Sequence, residues 1–517
     1  MNGAQALMRT LVDAGVDCCF ANPGTSEMHF VAALDSAPEM RAVLGLFEGV
    51  VTGAADGYAR MTGRPAATLL HLGPGLGNGL ANLHNARRAR TPMVNIVGDH
   101  AISHAQYDAP LASDIDLVAR NVSRWVRHCI STDELAQDAA DAVAAALGPP
   151  GQIATLILPA DVSWNEGAKP ADPAPVRTRT PVADDVVAKV AGLLRSGEPC
   201  TIMLGGSAVR ETGLLAAGRI AGATGAKLLC ETFPARIERG GGLPDIDRLA
   251  YLAEFASMQL TGARHLVLVD AKSPVSFFAY PDKASDLVPE GCEVHVLAEG
   301  ADDATYALTA LADAVGATDE HLVRPPASRP GRPTGALSGE TVAAAIGALL
   351  PEGAIVSDEA NTSGLWLPGA TAGGPRHDWL TLVGGAIGQG MPVATGAAVA
   401  CPDRRVVSVE AVGSAMYTFQ SLWTQAREGL DVTTIVLNNG SYAILNLELS
   451  RVGVETPGPK ALDMLDLSRP DLDFVSLATG MGVPATRATT AEEFTDQLER
   501  SLAEPGPSVI EAMIPSM

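Results

Sequence analysis

The chain of 517 residues is short of bases, aromatics and charge in general. Lys and Arg number 36 against 59 Asp and Glu, aromatic residues make up 4% and charged residues 18%. A formal net charge of −23 repels phosphate backbones and anionic headgroups, which argues against nucleic-acid and membrane-surface partners. Any anionic ligand must therefore be held by a local device: a metal ion, a helix N-terminus or a glycine loop. The seven cysteines are scattered, odd in number and set mostly in apolar runs, without a C-x-x-C pair or zinc spacing. They read as buried reduced thiols of a cytoplasmic protein. No uncharged apolar run reaches the roughly 18 residues of a membrane span. The first residues, MNGAQALMRTLVDAGVDCC, carry Arg9, Asp13 and Asp17 and do not read as a signal peptide.

What the chain does have is apolar mass, 47% of its residues, enough for several cores. Two Pro-rich, charged stretches, 166–183 and 318–338, lack hydrophobic periodicity and read as linkers. They divide the chain into 1–165, 184–317 and 339–517, each of ordinary domain size. Within each piece short apolar runs alternate with Ala-rich amphipathic segments. VDCCFA, AATLLHL and MVNIVGD read as strands in the first piece, EPCTIMLGG and HLVLVDA in the second, AIVSDEA, RVVSVEA and TTIVLNN in the third. Apolar runs without polar alternation suit parallel strands covered on both faces, so three doubly wound parallel-sheet α/β domains are expected.

Open α/β sheets bind ligands beyond the carboxyl ends of their strands, and four segments there carry usable chemistry. Asn22-Pro23-Gly24-Thr25-Ser26-Glu27 follows the first strand; alone it is an ordinary turn with Thr25 or Ser26 capping a helix. Glu48 lies in AVLGLFEGVVTGAADGYAR, a carboxylate in an apolar neighbourhood. If buried, it must be paired or hold its proton, and a heterocyclic nitrogen would satisfy it; if exposed, it merely starts a helix. His71 ends a strand and leads into a Gly/Pro-rich loop containing Asn78, where an imidazole can move protons near neutral pH. His84 and His100 read as surface or satisfied-core residues. The third domain offers Gly384-Gly385-Ala386-Ile387-Gly388, Ala411-Val412-Gly413-Ser414 and Asn438-Asn439-Gly440-Ser441. Glycine turns can hold a diphosphate and Asn oxygens can join phosphate oxygens around Mg²⁺.

NPGTSE, the FEG glutamate, HLGPGLGN, GGAIG and GS…LNNGSY, in this order and over nearly the whole chain, resemble the thiamine diphosphate-dependent 2-oxo acid decarboxylase and acetolactate synthase-like superfamily. The benzoylformate decarboxylase-like branch is favoured by His71. The resemblance implies a pyruvate decarboxylase-like architecture and an enzyme that cleaves or forms a C–C bond on a small 2-oxo acid, by decarboxylation to an aldehyde or acyl transfer to a second carbonyl. It implies Glu48 at N1′ of the aminopyrimidine and His71 as the other catalytic residue. Gly385 would lend its carbonyl to the 4′-amino group and Ile387 would prop the bent cofactor. Gly413, Ser414, Asn361 and Thr362 would surround the diphosphate. Thr25 and Asn78 would line the substrate pocket, and Asn439 and the Ser441 carbonyl would bind Mg²⁺. It also implies a homo-oligomer, a dimer or a dimer of dimers (homotetramer), with each active site shared between subunits.

Two departures stand out. The family's metal-binding aspartate is replaced by Val412, 27 residues before Asn439 as the pattern expects. Valine offers no lone pair, so the metal is held more weakly, or the chain is a catalytically silent member. Glu410 is two residues away, one pleat repeat back, and is not expected to reach. In the middle domain SPVSFFAYPDKAS lacks the histidine some decarboxylases carry, and Phe277, Phe278 and Tyr280 read more readily as a packed domain interface than as a substrate wall. GGSAVRETG is too loose for a dinucleotide loop, so FAD is not expected.

Overall fold

A computed structural model describes residues 1–516. The first sheet has six parallel strands in the order Arg41–Leu44, Cys18–Ala21, Ala66–Leu70, Met93–Asp99, Ile153–Pro159, Trp125–His128. Its central strands are buried from end to end, which is why they read as unbroken apolar runs. The middle sheet has five parallel strands, Asp247–Arg248, Lys227–Cys230, Cys200–Leu204, His265–Val269 and Glu293–Ala298. The third runs Ala485–Ala488, Ser508–Met513, Val432–Asn438, Val406–Ala411, Ala354–Glu359, His377–Thr381 and Arg236–Arg239.

That last strand departs from the expected plan. Arg236–Arg239 belongs to the middle stretch of the chain, yet it pairs antiparallel with His377–Thr381 at the edge of the third sheet. Arg236 is fastened there to Asp378 and donates to the carbonyls of Arg60 and Met61 in the first domain. A sheet edge that would otherwise expose free N–H and C=O groups is thereby covered.

The first and third domains meet along two helices. Glu48–Thr62 packs on Gly390–Ala400, and both sequences are written in small residues. Gly57 faces the Val393 backbone and Gly396 faces the Ala54 carbonyl, so closely that a Cβ at either position would collide with backbone. Beside this seam Arg60 is buried. It pairs with Asp56 and donates to the carbonyls of Thr381 (2.9 Å) and Ala235 (3.1 Å). A buried guanidinium needs such partners, because its desolvation is otherwise uncompensated. All seven cysteines are free and five are buried; burial pushes Cys18 and Cys230 up to about 12, which leaves them unreactive thiols. Among the described residues no helix is long and apolar enough to cross a membrane.

Candidate active site

Glu48 is the first residue of its helix and only 8% exposed, so the water-facing alternative does not hold. The Asn78 carboxamide donates to its Oε2 at 3.0 Å, the one side-chain partner of this carboxylate among the described residues. A buried carboxylate with one neutral partner is short of donors.

Asn78 does not sit in a loop. The helix begins at Leu72 and runs to Ala89, taking in the whole LGPGLGN segment. Pro74 lies in the first turn, where its missing N–H leaves no bond unmade. The glycines are there for approach: a Cβ on Gly75 would stand 3.1 Å from Glu48 Oε1, and one on Gly79 would stand 2.9 Å from Thr52 Cγ2. Residues that usually punctuate a chain thus serve packing here, not a turn.

His71 is the N-cap of this helix, and the buried Leu72 that follows holds a left-handed φ of 50°. Strain of that kind in a non-glycine residue is characteristic of functional sites. Nδ1 of His71 lies 2.8 Å from Oε2 of Glu27 and 3.3 Å from the Ser26 hydroxyl. Glu27 is itself buried and accepts from the Gly24 amide (2.7 Å) and the Ser26 hydroxyl (2.5 Å). A carboxylate on Nδ1 puts the proton there and leaves Nε2 with a free lone pair. Glu27 is the site residue that sequence reasoning misses. Its only signal is a glutamate three residues after Gly24, which looks like a turn cap. Gly24 is pressed against the imidazole, with no room for a Cβ. Thr25, by contrast, is exposed at the start of a short 3₁₀ turn, and Gly24 rather than Thr25 or Ser26 takes the cap position.

The Gly384–Gly388 loop of the third domain is gripped by the His71 helix. Asn85 bonds both the N–H (3.2 Å) and the carbonyl (2.8 Å) of Ala386, His84 bonds the Gly384 carbonyl (3.1 Å), and Asn82 donates to the Gly388 carbonyl (3.0 Å). His84 is therefore a satisfied structural residue. Gly385 has φ +76°, a conformation glycine adopts at little cost, and it is exposed. The carbonyls of Gly384, Ala386 and Gly388 are all occupied, whereas that of Gly385 has no partner among the described residues. Ile387 is half-buried beside it. The Phe277 ring comes so near Gly385 that a Cβ there would stand 3.5 Å from it. Phe277 also packs against Phe233 and Tyr251, while the Tyr280 hydroxyl donates to Glu448 at 2.6 Å. Phe277 and Tyr280 thus join the middle and third domains next to the loop, whereas Phe278, expected in the same interface, is exposed.

Beneath the loop lies a pair of carboxyls that no motif or spacing connects. Glu359 and Glu410 end neighbouring parallel strands, stand opposite each other in register and are both fully buried. Glu359 accepts from the Gly388 amide (2.6 Å) and the Gly390 amide (2.5 Å), and Glu410 accepts from the Ser408 hydroxyl at 2.6 Å. Burial raises both, Glu359 to about 7, and the charge of Glu359 raises Glu410 further, which makes Glu410 the protonated member donating to its neighbour.

Val412, Gly413 and Ser414 form a single buried turn after the strand Val406–Ala411. Asn361, itself at φ +50°, reaches the Ser414 hydroxyl at 3.4 Å, so two of the expected diphosphate residues touch; Thr362 is half-buried beside Asn361. The Tyr442 ring lies against Gly413. Val412 points into an apolar cluster with Met391, Phe419, Leu422, Val436 and Phe474. The Asn439 carboxamide oxygen accepts from the Ser441 N–H at 3.1 Å. A cation here would find the neutral oxygens of Asn439 and Ser441, while Glu410 is committed to Ser408 and Glu359. The donor-poor Glu48 and the open Gly385 carbonyl fit thiamine diphosphate well; the site fits Mg²⁺ only as an ion carried largely by diphosphate oxygens.

Comparison with known proteins agrees with this geometry. Residues 1–119 match the family model described as thiamine pyrophosphate enzyme, N-terminal TPP binding domain, and residues 364–512 match its C-terminal TPP binding domain. The Mycobacterium tuberculosis (strain ATCC 25618 / H37Rv) protein named "Putative acetolactate synthase large subunit IlvX" is 63% identical over 520 residues, covering 100% of both chains. The chain belongs to the thiamine pyrophosphate enzyme family. Benzoylformate decarboxylase of Pseudomonas aeruginosa is 30% identical over 531 residues, covering 96% of each chain. Among solved structures, the thiamine diphosphate-dependent 4-hydroxybenzoylformate decarboxylase of Rhodococcus jostii RHA1 superposes with a TM-score of 0.88 at 23% identity, covering 100% of both chains. This likeness bears out the expected three-domain α/β fold.

In this thiamine pyrophosphate enzyme a further crevice opens at the carboxyl ends of the middle strands. It is a cavity of about 710 Å³ lined by Arg60, Arg88, Arg90, Arg210, Glu231 and Asp270, among others. The Asp270 carboxylate fills the space beside Gly206, in the turn where a diphosphate would sit, and burial raises Glu231 nearby.

Proposed function

We propose that this protein cleaves the C1–C2 bond of a 2-oxo acid, releasing CO₂ and an aldehyde or passing the acyl unit to a second carbonyl. The observation that carries the proposal is Glu48: a carboxylate buried at a helix start, bonded by Asn78 and otherwise unsatisfied, facing a first-domain histidine site. When bound, thiamine diphosphate supplies a carbon nucleophile and an electron sink for that cleavage. Glu48 would hold a proton at the pyrimidine ring nitrogen, and the open Gly385 carbonyl would accept from the amino group on the same ring. Ile387 would support the cofactor beside that loop. Asn361, Thr362, Gly413 and Ser414 would surround the diphosphate, and the Asn439 carboxamide and the Ser441 carbonyl would contribute to holding Mg²⁺.

His71 presents Nε2 to the substrate and takes or gives the proton of its hydroxyl or carboxyl, while Glu27 keeps the other nitrogen protonated. Thr25 and Asn78 line the entrance. The working form is a homo-oligomer whose sites combine the first domain of one copy with the third domain of another. Histidine in this position favours decarboxylation over acyl transfer. Incubation with thiamine diphosphate and Mg²⁺, followed by a screen of pyruvate, benzoylformate and branched 2-oxo acids for CO₂, tests the reading. Release with at least one acid, abolished in Glu48→Gln, is expected. A cofactor-induced rise in melting temperature without CO₂ from any acid would instead mark the silent relative that Val412 suggests.

A further inference from the structure

Far from the thiamine site, at the amino ends of the last two strands of the middle sheet, two histidines are buried against each other. His265 opens the strand His265–Val269, and Glu293 and His295 lie two apart on Glu293–Ala298, hence on one face. His265 pairs with Glu293 in register. Nδ1 of His265 and Nε2 of His295 stand 3.1 Å apart, and Glu293 Oε2 is 3.8 Å from that same Nε2. Both imidazoles are less than a tenth exposed, whereas Glu293 reaches in from solvent. On its far side, His265 Nε2 is 2.9 Å from Glu198 Oε2.

We propose that His265, Glu293 and His295 form a binding site for a divalent transition cation of the Zn²⁺ type. Two nitrogens bound at about 2.0–2.1 Å in tetrahedral geometry lie about 3.3 Å apart, close to the spacing already present. The three ligand atoms lie within 4.8 Å of one another, and no other such group of three His, Cys, Asp or Glu side chains occurs among the described residues. Glu198 supplies the carboxylate behind a histidine that orients metal-binding imidazoles: it accepts the Nε2 proton and leaves the Nδ1 lone pair bare. Lys189 opposes the cation, and Glu198 and Glu293 more than offset it. Three protein ligands leave the fourth position to water. The ion would fasten the edge strand of the sheet to its neighbour, so occupancy should register as stability of the middle domain.

The test uses the whole protein after EDTA treatment and dialysis. Zn²⁺ competition against a chromophoric chelator should show one tight equivalent per chain, and Co²⁺ should give the strong visible absorption of a four-coordinate site. His295→Gln should abolish both, and Glu198→Gln should weaken Zn²⁺ binding about 10- to 100-fold. Glu293→Gln, a surface change that cannot unfold the core, should weaken it as well. Asn439→Ala should leave it unchanged, which separates this site from the diphosphate site. Zn²⁺ bound equally by wild type, Glu293→Gln and His295→Gln, or Co²⁺ spectra of a six-coordinate ion, would overturn the proposal.

Discussion

Replacing Glu410 by Gln should make the third domain more stable at pH 8 and leave it nearly unchanged at pH 5. Glu359 and Glu410 share one proton in the folded protein, whereas in the unfolded chain each ionises near the ordinary 4.5. Folded values raised above unfolded ones mean that the stability is fully present below pH 4.5 and is lost as the pH climbs through about 7. Glu410 is raised well above 4.5, so over the range where it keeps its proton and the unfolded chain has lost it, wild-type stability falls by about 1.4 kcal/mol per pH unit on its account. Both side chains are fully buried. Glutamine keeps the donor that Glu410 offers to Glu359 and cannot ionise, so this part of the penalty disappears while that of Glu359 remains. Urea unfolding between pH 5 and 8 would show the wild-type curve falling relative to the variant by up to about 1.4 kcal/mol per pH unit. Hydrogen exchange over residues 384–392 gives a local readout, because Glu359 holds the Gly388 and Gly390 amides. Parallel pH profiles for the two proteins would refute the shared proton.

Val412→Asp should destabilise the cofactor-free protein by a few kcal/mol, since it places a carboxylate among Phe419, Leu422 and Phe474. The same change should enlarge the melting-temperature rise produced by thiamine diphosphate with Mg²⁺; an unchanged rise would count against the metal reading. Glu27→Gln should lower kcat about 10- to 100-fold and displace its pH profile with little change in KM, because the Nδ1 partner is lost while the pocket remains; unaltered kinetics would remove Glu27 from the mechanism. Glu48→Gln and Asn439→Ala, each inactive alone, should on unfolding and mixing regain about one quarter of the wild-type rate if sites form between copies, as assayed by CO₂ release. No recovery would place both halves of a site in one chain.

The central strands are legible because burial on both faces leaves an unbroken apolar run, as in AATLLHL and MVNIVGD. Edge strands such as Arg41–Leu44 and Trp125–His128 carry exposed residues and no such run. Arg236–Arg239 is invisible for a different reason, since its partner strand belongs to another domain. Glu48, His71 and the Gly385 loop announce themselves by a charge, an imidazole or glycines in unusual company. Glu27 and the Glu359–Glu410 pair do not, because register and tertiary approach bring them to their partners. LGPGLGN misleads in the opposite sense: residues that usually break a helix serve here to let another helix come near.

That nearness governs how the molecule can open. Where Gly57 meets Val393 and Gly396 meets Ala54, the backbones are almost in contact and there is no slack for sliding. The cofactor loop, tied through Asn82, His84 and Asn85 to the same unit, must travel with the first domain as a single body. The middle domain is held to the same body, because its strand Arg236–Arg239 completes the third sheet and Tyr280 donates to Glu448, so the irregular stretches 166–183 and 318–338 are not its only ties. Cutting that edge, rather than lengthening either stretch, is what should set the middle domain loose.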